Sequence, residues 1–381
     1  MKKKRNTKAK IRDQIVKINQ GLTLSANQAY SLDMEEQIRK ERNASENATM
    51  VDVSVIMPVF NCVKYLDATL DCLCSQTLKN IEIICINDGS TDSSLNVLHR
   101  YAARDSRIIV IDQANQGQSK ARNRGLEIAR GSFIGFMDAD DYVPSDYFEK
   151  LLNAAQGSGA DIVQCRVIFT YPNGTRENYV MNDELLKLDT RRFVNKLFFT
   201  YTSGFLWNKI YRRSILSGMA FHEGIYWEDN PFVMEAVLNA ETIITIPDVF
   251  YEYLQRPNST VTCIKPKIHF DLLASTDLML AFLKSSPKVT DQMYREFAPS
   301  IVARLDRELE RAQANTNLTT ADLHRFKKMR LRTIFRVEHI SLARKLEIED
   351  DCRLFRKHFH GFMRPFRILE IPFRLIFNLI R

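Results

Sequence analysis

Long apolar runs are missing from this sequence of 381 residues, and their absence limits the kind of protein that it can encode. No stretch of about 18 uncharged apolar residues occurs, which is the length that a membrane-spanning helix needs. The basic N-terminus is followed by no apolar segment of the kind found in secretory signals. We therefore expect neither a confident membrane span nor a secretory leader.

The cysteines lack a metal-binding pattern, and glycine is missing from a long part of the sequence. The seven cysteines are odd in number, and no pair of Cys-x-x-Cys units exists to hold zinc. Reduced core thiols in a cytosolic protein are the expectation. Glycine is absent between Gly224 and Gly361, and helical spacing dominates the sequence beyond residue 265.

A basic surplus is present, but it is confined to the two ends of the chain. Lys and Arg total 54 against 46 Asp and Glu, which gives a net charge of +8. Residues 1–20 hold eight basic residues and one acid, and residues 353–381 hold seven and one. The chain between these ends is net acidic, which argues against a basic groove for nucleic acid.

Short apolar runs alternate with helical patterns from residue 51 onward. The patterns predict strands at 53–59, 81–87, 108–112, 133–137, 162–171 and 243–253, with helices at 63–75, 93–103, 119–129, 147–155, 190–199 and 229–239. Such alternation is typical of an α/β fold with a mostly parallel, Rossmann-like central sheet and helices on both faces. Pro172-Asn173-Gly174 predicts a hairpin turn.

Three segments are predicted along the chain. Residues 1–50 form a basic N-terminal arm, residues 51–264 form the α/β domain, and residues 265–381 form a helical C-terminal region ending in a basic amphipathic helix.

Polar residues follow three of the predicted strands at the point where each strand ends. These ends read Pro58-Val59-Phe60-Asn61, Asn87-Asp88-Gly89-Ser90-Thr91-Asp92 and Asp138-Ala139-Asp140-Asp141. In an open parallel sheet, ligands bind beyond the carboxyl ends of the strands. The three ends together predict a site, whereas each alone also fits a well-capped turn.

The acidic end of the fourth strand indicates a cation. Three carboxylates in four positions repel one another unless a cation or hydrogen-bond donors compensate them. Asp138 and Asp140 follow the strand at alternate positions and can point to the same side, and their oxygens suit Mg²⁺ or Mn²⁺. A solvated acidic turn that caps the next helix is the alternative.

Basic residues open the helix that follows the third strand, within the segment Gly117–Gly125. The helix dipole favours acids at that position, so a bound anion would account for Lys120, Arg122 and Arg124. A solvated basic face is the alternative.

These segments resemble the ordered motifs of the family 2 glycosyltransferases. The order and spacing match over residues 52–145, and a looser likeness extends to about residue 262 through Trp207–Arg213, Glu228-Asp229 and Tyr251–Thr260. The resemblance implies an A-type glycosyltransferase fold, a nucleotide-sugar donor and inversion at the anomeric carbon. Residues 51–264 would then be the catalytic domain.

The resemblance also assigns roles to single residues. Nucleotide binding falls to Pro58, Asn61, Asp88, Arg122 and Asp138, with Asp88 on the base and Asp138 on the ribose or the metal. Asp138 and Asp140 would hold the Mn²⁺ or Mg²⁺ that bridges the diphosphate.

Asp229 falls where the family places its catalytic base. This role suits the chemistry, because inverting transfer needs one carboxylate to deprotonate the acceptor hydroxyl while a metal stabilises the departing diphosphate. Acids favoured by the dipole at a helix start are the alternative for Glu228-Asp229.

Trp207, Lys209, Trp227 and Glu228 are weaker candidates for the acceptor site. A tryptophan ring can stack on a sugar, but core packing explains either tryptophan equally well. The Gln-x-x-Arg-Trp motif of processive synthases is absent, since Gln255-Arg256-Pro257 does not match it. We therefore expect a non-processive enzyme.

The C-terminal residues from Arg364 onward predict an apolar helix with one narrow polar stripe, at positions 367, 370, 374, 378 and 381. Such a helix suits a membrane interface, with its arginines at the headgroups and a kink at Pro372. Together with Lys2-Lys3-Lys4-Arg5 it predicts attachment to an anionic membrane surface, at about 1 kcal/mol for each nearby Lys or Arg. Packing on the catalytic domain or on a second subunit is the alternative, and no oligomeric state is predicted.

The predicted function is metal-dependent inverting transfer of a sugar, of the hexosyltransferase type, from a nucleoside diphosphate sugar to a hydroxyl of a glycan or lipid-linked acceptor. A UDP-sugar is the favoured donor, and bacterial surface polysaccharide synthesis, such as that of capsule or lipopolysaccharide, is the favoured setting. The enzyme would lie in the cytoplasm, peripheral on the inner face of the plasma membrane.

Two alternatives stay open. A nucleotidyltransferase would need a loop rich in glycine and Lys or Arg near the first strand, which Pro58-Val59-Phe60-Asn61 does not offer. A non-catalytic, membrane-associated scaffold with the same fold is the other, and the presence of Asp138, Asp140 and Asp229 counts against it.

Overall fold

The computed structural model describes residues 51–179, 188–189, 204–256 and 265–336. The predicted basic arm, the helix predicted at 190–199 and the C-terminal amphipathic helix lie outside the described residues. The chain divides into two compact units that interleave in sequence. The first comprises residues 1–189, 205–224 and 239–256, and the second comprises 190–204, 225–238 and 257–381.

Among the residues that the structure describes, the first unit contains nine strands and the helices between them. Its strands are β1 (Val53–Val59), β2 (Ile81–Asp88), β3 (Ile108–Gln113), β4 (Phe133–Phe136), β5 (Ile162–Thr170), β6 (Arg176–Tyr179), β7 (Leu188–Asp189), β8 (Lys209–Arg212) and β9 (Thr242–Leu254). Its helices are α1 (Val63–Cys74), α2 (Ser94–Ala102), α3 (Gln118–Ile128) and α4 (Tyr147–Ser158), with a 3-10 turn at Arg213–Leu216.

The nine strands form one sheet in the order β3-β2-β1-β4-β8-β5-β9-β7, and β6 pairs with β5 beside this path. Strands β1 to β4 are parallel to one another, and β5 is parallel to β9. Strands β6, β7 and β8 run antiparallel to their neighbours. The predicted mostly parallel α/β sheet is confirmed, as is the hairpin turn before β6.

Both faces of the sheet are covered because alternate residues of its apolar strands point to opposite sides. On one face, Val55 and Met57 of β1 belong to a buried cluster with Leu66 and Leu70 of α1. On the other face, α3 approaches Ile56 so closely that a Cβ on Gly125 would collide with it. Glycine at this position therefore allows the helix that carries Arg122 to lie directly against the sheet.

Strand β8 was not predicted, and it changes the order of the sheet. It inserts between β4 and β5 and pairs antiparallel with both. Four residues are too few for a recognisable alternation of apolar and polar positions, so the sequence pattern offered no signal. As a result, β4 and β5 are not neighbours although they follow one another in the chain.

The second unit is helical. It contains α5 (Asp229–Asn239) through residue 238, α6 (Pro266–Ser285), α7 (Asp291–Ala314) and α8 (Thr320–Arg336). Helices α6, α7 and α8 pack on one another in pairs. The helical region predicted beyond residue 265 is confirmed for these three helices. Of the helices in the described part of the chain, none combines the length and the apolar character needed to cross a bilayer.

Candidate active site

The carboxyl ends of β1, β2 and β4 meet at one edge of the sheet, as the sequence predicted. β1 lies between the other two strands and runs parallel to both. Its residue Val59 is paired with Asn87, next to Asp88. Pro58, Asn61, Asp88 and the acidic turn after β4 therefore belong to a single edge of the first unit.

Asn61 ties the ends of β1 and β2 together. It adopts a left-handed backbone conformation with φ of 49°, which asparagine tolerates better than most residues. Its Oδ1 accepts hydrogen bonds from the N–H groups of Thr91 (2.7 Å) and Asp92 (3.3 Å). Its own N–H donates to Ser90 Oγ at 3.1 Å. Asn61 thus orders the loop beside the proposed nucleotide site.

β1 leads through Phe60-Asn61-Cys62 directly into α1. This junction contains no glycine-rich basic loop of the kind that a nucleotidyltransferase would need. Phe60 is 48% exposed at this edge, which is unusual for a large apolar side chain.

Asp88 is engaged by the loop that precedes α3. Its Oδ1 accepts hydrogen bonds from Gln113 Nε2 (2.8 Å) and Gln116 N (2.9 Å), and its Oδ2 accepts from Gly117 N (2.8 Å). The residue is only 3% exposed. Asp88 therefore holds the segment that starts the helix carrying Arg122, and a contact with a nucleotide base would have to share these same oxygens.

Each acidic residue of the turn after β4 has a partner of its own. Arg122 Nη2 donates to Asp138 Oδ1 at 3.0 Å, and the buried guanidinium also lies 5.6 Å from the ring centre of Phe221. The Arg256 guanidinium forms an ion pair with Asp140. The turn is thus held between one arginine from α3 and one from the chain just after β9.

Asp141 is fully buried beneath this turn. Its carboxylate accepts hydrogen bonds from the Tyr251 hydroxyl (2.8 Å) and the Leu254 N–H (3.0 Å). The same Tyr251 hydroxyl accepts the backbone N–H of Asp138 at 3.2 Å. These hydrogen bonds from β9 therefore fix the shape of the acidic turn.

The carboxyl groups of the acidic turn disfavour one another's ionised form. Burial raises the pKa of Asp140, and the neighbouring Asp138 raises it further, while Arg256 opposes both. Burial also raises the pKa of Asp141 well above its usual value, with Asp138 and Asp140 adding to the shift. A bound cation would relieve this repulsion.

The residues of this edge fit a divalent cation of the Mg²⁺ or Mn²⁺ type. Asp138 and Asp140 supply hard oxygen ligands, and such ions are commonly held by one or two carboxylates together with substrate phosphates and water. Across the residues that the structure describes, no group of three or more His, Cys, Asp or Glu side chains is arranged to hold a metal ion alone.

Glu228 and Asp229 lie in the second unit. Asp229 is the first residue of α5, and its Oδ1 accepts hydrogen bonds from the backbone N–H (2.9 Å) and side-chain Nδ2 (3.1 Å) of Asn230. Glu228 is buried beside it. Trp227 donates its indole N–H to the carbonyl of Ile268 on α6 at 3.2 Å.

Trp207 and Lys209 are both buried in the first unit. Trp207 is 6% exposed and stacks on Tyr251, with ring centres 4.2 Å apart. Lys209 Nζ donates to the carbonyl of Phe205 (2.6 Å) and to Asn208 Oδ1 (2.7 Å). For Trp207 this geometry favours core packing, the alternative that the sequence left open, and an acceptor role for Trp207 or Lys209 stays a prediction.

Three residues at this edge were not predicted as site residues. Arg256 and Tyr251 lie in the segment 251–260 that the looser likeness included, but they are more than 100 residues from the acidic turn, so local spacing could not reveal their contacts with it. Phe60 lies inside a motif that the sequence did single out. An aromatic residue in a turn between a strand and a helix was a signal that could have been used.

Known proteins resemble this chain in sequence and in fold. The sequence model of the glycosyl transferase family 2 matches residues 54–219. The uncharacterised glycosyltransferase EpsJ of Bacillus subtilis is 37% identical over 239 residues, which cover 60% of this chain and 69% of EpsJ. The cholesterol galactosyltransferase of Borreliella burgdorferi is 35% identical over 223 residues, covering 56% of this chain and 62% of that protein.

The solved structure of residues 1–349 of S. aureus TarS with UDP-GlcNAc superposes with a TM-score of 0.62 at 21% identity. The superposition covers 84% of this chain and 95% of the TarS chain. The likeness shows a common fold.

The fold and the sequence relatives define a glycosyltransferase. The chain belongs to glycosyl transferase family 2.

Proposed function

We propose that this enzyme transfers a sugar from a nucleoside diphosphate sugar to an acceptor hydroxyl, with inversion at the anomeric carbon and with the help of Mn²⁺ or Mg²⁺. The observation that carries this proposal is the acidic turn after β4. Asp138 and Asp140 both face arginines there, and their charges repel one another.

The nucleotide part of the donor would bind where β1 and β2 end. The exposed Phe60 ring offers an apolar face for a base. Asn61 and Asp88 order the two loops on either side, and the Arg122 guanidinium presents positive charge beside Asp138. TarS was solved with UDP-GlcNAc bound, which supports a UDP-sugar as the donor here.

Asp138 and Asp140 would hold the metal, which when bound neutralises charge on the leaving diphosphate. Arg256, now paired with Asp140, lies where it can contribute positive charge of its own. Asp138 keeps about a third of its side chain exposed (30%), so it is accessible to a ligand that arrives from solvent.

Asp229 would act as the base that removes the proton from the acceptor hydroxyl. A carboxylate at a helix start is favoured in its ionised form by the helix dipole, which suits this role. Glu228, Trp227, Trp207 and Lys209 stay the weaker candidates for acceptor contacts.

The acceptor would be a glycan or a lipid-linked glycan of a bacterial surface polysaccharide. The basic amphipathic helix predicted at the C-terminus would bring the enzyme to the inner face of the plasma membrane, within reach of such an acceptor.

The test measures UDP release from UDP-glucose, UDP-galactose and UDP-N-acetylglucosamine in the presence of Mn²⁺. We expect Asp140→Asn and Asp229→Asn each to lose at least about 100-fold of the wild-type rate, since a catalytic base alone contributes 10²–10⁴-fold. Asp248→Asn is the matched control, because it makes the same change at an exposed carboxylate of β9. Full activity in both Asp140→Asn and Asp229→Asn would show that the proposed mechanism is wrong.

A further inference from the structure

Asp229 is connected to helix α7 of the second unit through Asn230. The Asn230 side chain donates to Asp229 Oδ1 at 3.1 Å and accepts a hydrogen bond from Arg304 Nη1 at 3.4 Å. Asn230 is buried, and a Cβ added to Gly204 would collide with its Oδ1. The bridging amide therefore has little room to turn away.

The backbone just before Asp229 is strained, and hydrogen bonds with helix α6 hold it in place. Trp227 has φ of 63°, a left-handed conformation that is rare for a bulky side chain. The indole N–H donates to the Ile268 carbonyl, and the Trp227 carbonyl accepts Ser275 Oγ at 2.9 Å. Strained backbone persists where the surrounding structure over-determines it, and such positions cluster at functional sites.

Arg304 lies among charges of both signs. Burial lowers the pKa of its guanidinium to about 10, while the carboxylates of Asp229 and Glu308 oppose that shift, so the side chain stays positively charged at neutral pH. Glu308 is itself engaged by His269 Nδ1 at 2.6 Å and by Arg311 at 3.2 Å. The positive charge of Arg304 therefore acts on both Asp229 and Glu308, and Glu308 has other partners as well.

Other charged groups also lie around this segment. Glu228 precedes Asp229 on its own segment, and Arg307 lies near Arg304 on α7. From α6, Asp271 accepts the Tyr226 N–H at 2.8 Å and is paired with Lys267. Arg304 is the cation that both the electrostatics and the hydrogen-bond bridge connect to Asp229.

We propose that Arg304 is a positioning residue for the reaction: through the Asn230 bridge and its own charge, it orients Asp229 and keeps this carboxylate ionised for proton abstraction. The inference rests on the proposed role of Asp229 as the base. It makes α7, which lies beyond the 54–219 segment matched by the family model, a functional part of the enzyme.

The proposal is tested by the pH dependence of UDP release from whichever of the three UDP-sugars above the wild-type chain uses. In Arg304→Gln we expect kcat to fall at least about 10-fold and the rising limb of the pH–rate profile to move up by about one pH unit, the shift expected from removing one close opposite charge. Arg304→Lys keeps the positive charge but loses the planar set of N–H donors of the guanidinium. The rising limb of the pH–rate profile should therefore stay in place, and kcat should fall less than in Arg304→Gln. KM for the donor should change little in either variant.

Two further variants separate a positioning effect from loss of the fold. Asn230→Ala removes the hydrogen-bond bridge between Asp229 and Arg304 and leaves the Arg304 charge in place. We therefore expect kcat to fall, with a smaller shift of the rising limb than in Arg304→Gln. Arg307→Gln removes an exposed charge one turn further along α7, and its profile should match the wild type. Thermal denaturation of all four variants shows which of them are folded at the assay temperature.

The outcomes distinguish this inference from the proposed function. If Asp229→Asn is inactive while folded Arg304→Gln keeps the wild-type rate and pH profile, the positioning role is refuted and the base is not. If Asp229→Asn keeps full activity, the base assignment itself fails. A shift of the limb in Arg304→Gln that Arg304→Lys restores would support the proposal.

Discussion

Asp88→Asn is the substitution that best tests how the loops at the carboxyl ends of β1, β2 and β4 are organised. The resemblance places Asp88 on the nucleotide base, yet its two oxygens already accept three hydrogen bonds of 2.8–2.9 Å from the loop before α3. If the loop depends on this carboxylate, the substitution must weaken the fold even with no nucleotide present.

The size of the effect follows from these contacts. An asparagine can keep its carbonyl oxygen toward Gln113 and Gln116, but its amide then faces the Gly117 N–H, and two donors oppose each other. Hydrogen bonds to a charged acceptor contribute about 1.5–3 kcal/mol each. One such bond is lost and the other two are weakened, although water can reach Gly117. We expect a loss of about 2 kcal/mol in the free energy of unfolding.

Urea denaturation of the protein without nucleotide, compared with Asp248→Asn as the control, measures this loss. The slope against urea should stay constant, so that the midpoint alone moves. Calorimetric titration with UDP and Mn²⁺ should also show weaker binding. A variant with stability within about 0.5 kcal/mol of the wild type but without UDP binding would refute the reasoning, because Asp88 would then serve the base and not the loop.

Two further predictions concern the acidic turn and the C-terminus. Because the pKa of Asp141 is higher in the folded chain than its ordinary value of 3.8, the stability tied to it is fully present below 3.8 and is lost as pH rises through the folded value. Asp141→Asn should therefore be more stable than the wild type at pH 7–8, with the gap closing as pH falls toward 4; thermal denaturation over this range checks it, and an equal deficit at every pH would contradict it. Deletion of residues 362–381 should abolish co-sedimentation with vesicles that contain anionic lipid, at about 1 kcal/mol for each basic residue removed from the surface. Vesicles of neutral lipid are the control, and unchanged sedimentation after the deletion would rule out this helix as the anchor.

Most of the parallel half of the sheet could be predicted because its strands are buried on both faces. Buried strands such as β1 and β2 are continuous apolar runs, and polar turns mark their ends. The predicted bounds of β1 agree with the structure, and those of β2 and β3 differ by one residue. Strands β6, β7 and β8 were not predicted as strands, although the turn before β6 was, because two to four residues carry no usable periodicity.

The site could be predicted only where its chemistry lies within short motifs. Asp88 and Asp138 could be predicted as site residues because they lie at or just after strand ends, and the rule for parallel sheets brings such ends together. The contacts of Arg256 and Tyr251 with the acidic turn could not be predicted, although the likeness included residues 251–260, since these contacts depend on how β9 runs through the sheet. The hydrogen bonds of Asp88 with the loop before α3 were equally beyond the sequence, because a motif gives a residue's identity and not its partners.

The antiparallel insertion of β8 has a consequence for how this domain can be assembled. β4 carries the acidic turn at its end, but its second neighbour in the sheet, residues 209–212, emerges more than 70 positions later in the chain. Until then, β4 and β5 each present an open edge, and unpaired edges are where chains associate wrongly. The first four strands thus form an incomplete sheet that depends on a late segment for closure. A fragment that stops before residue 209 would contain the Asp88 and Asp140 motifs and yet lack the strand that joins the two halves of the sheet.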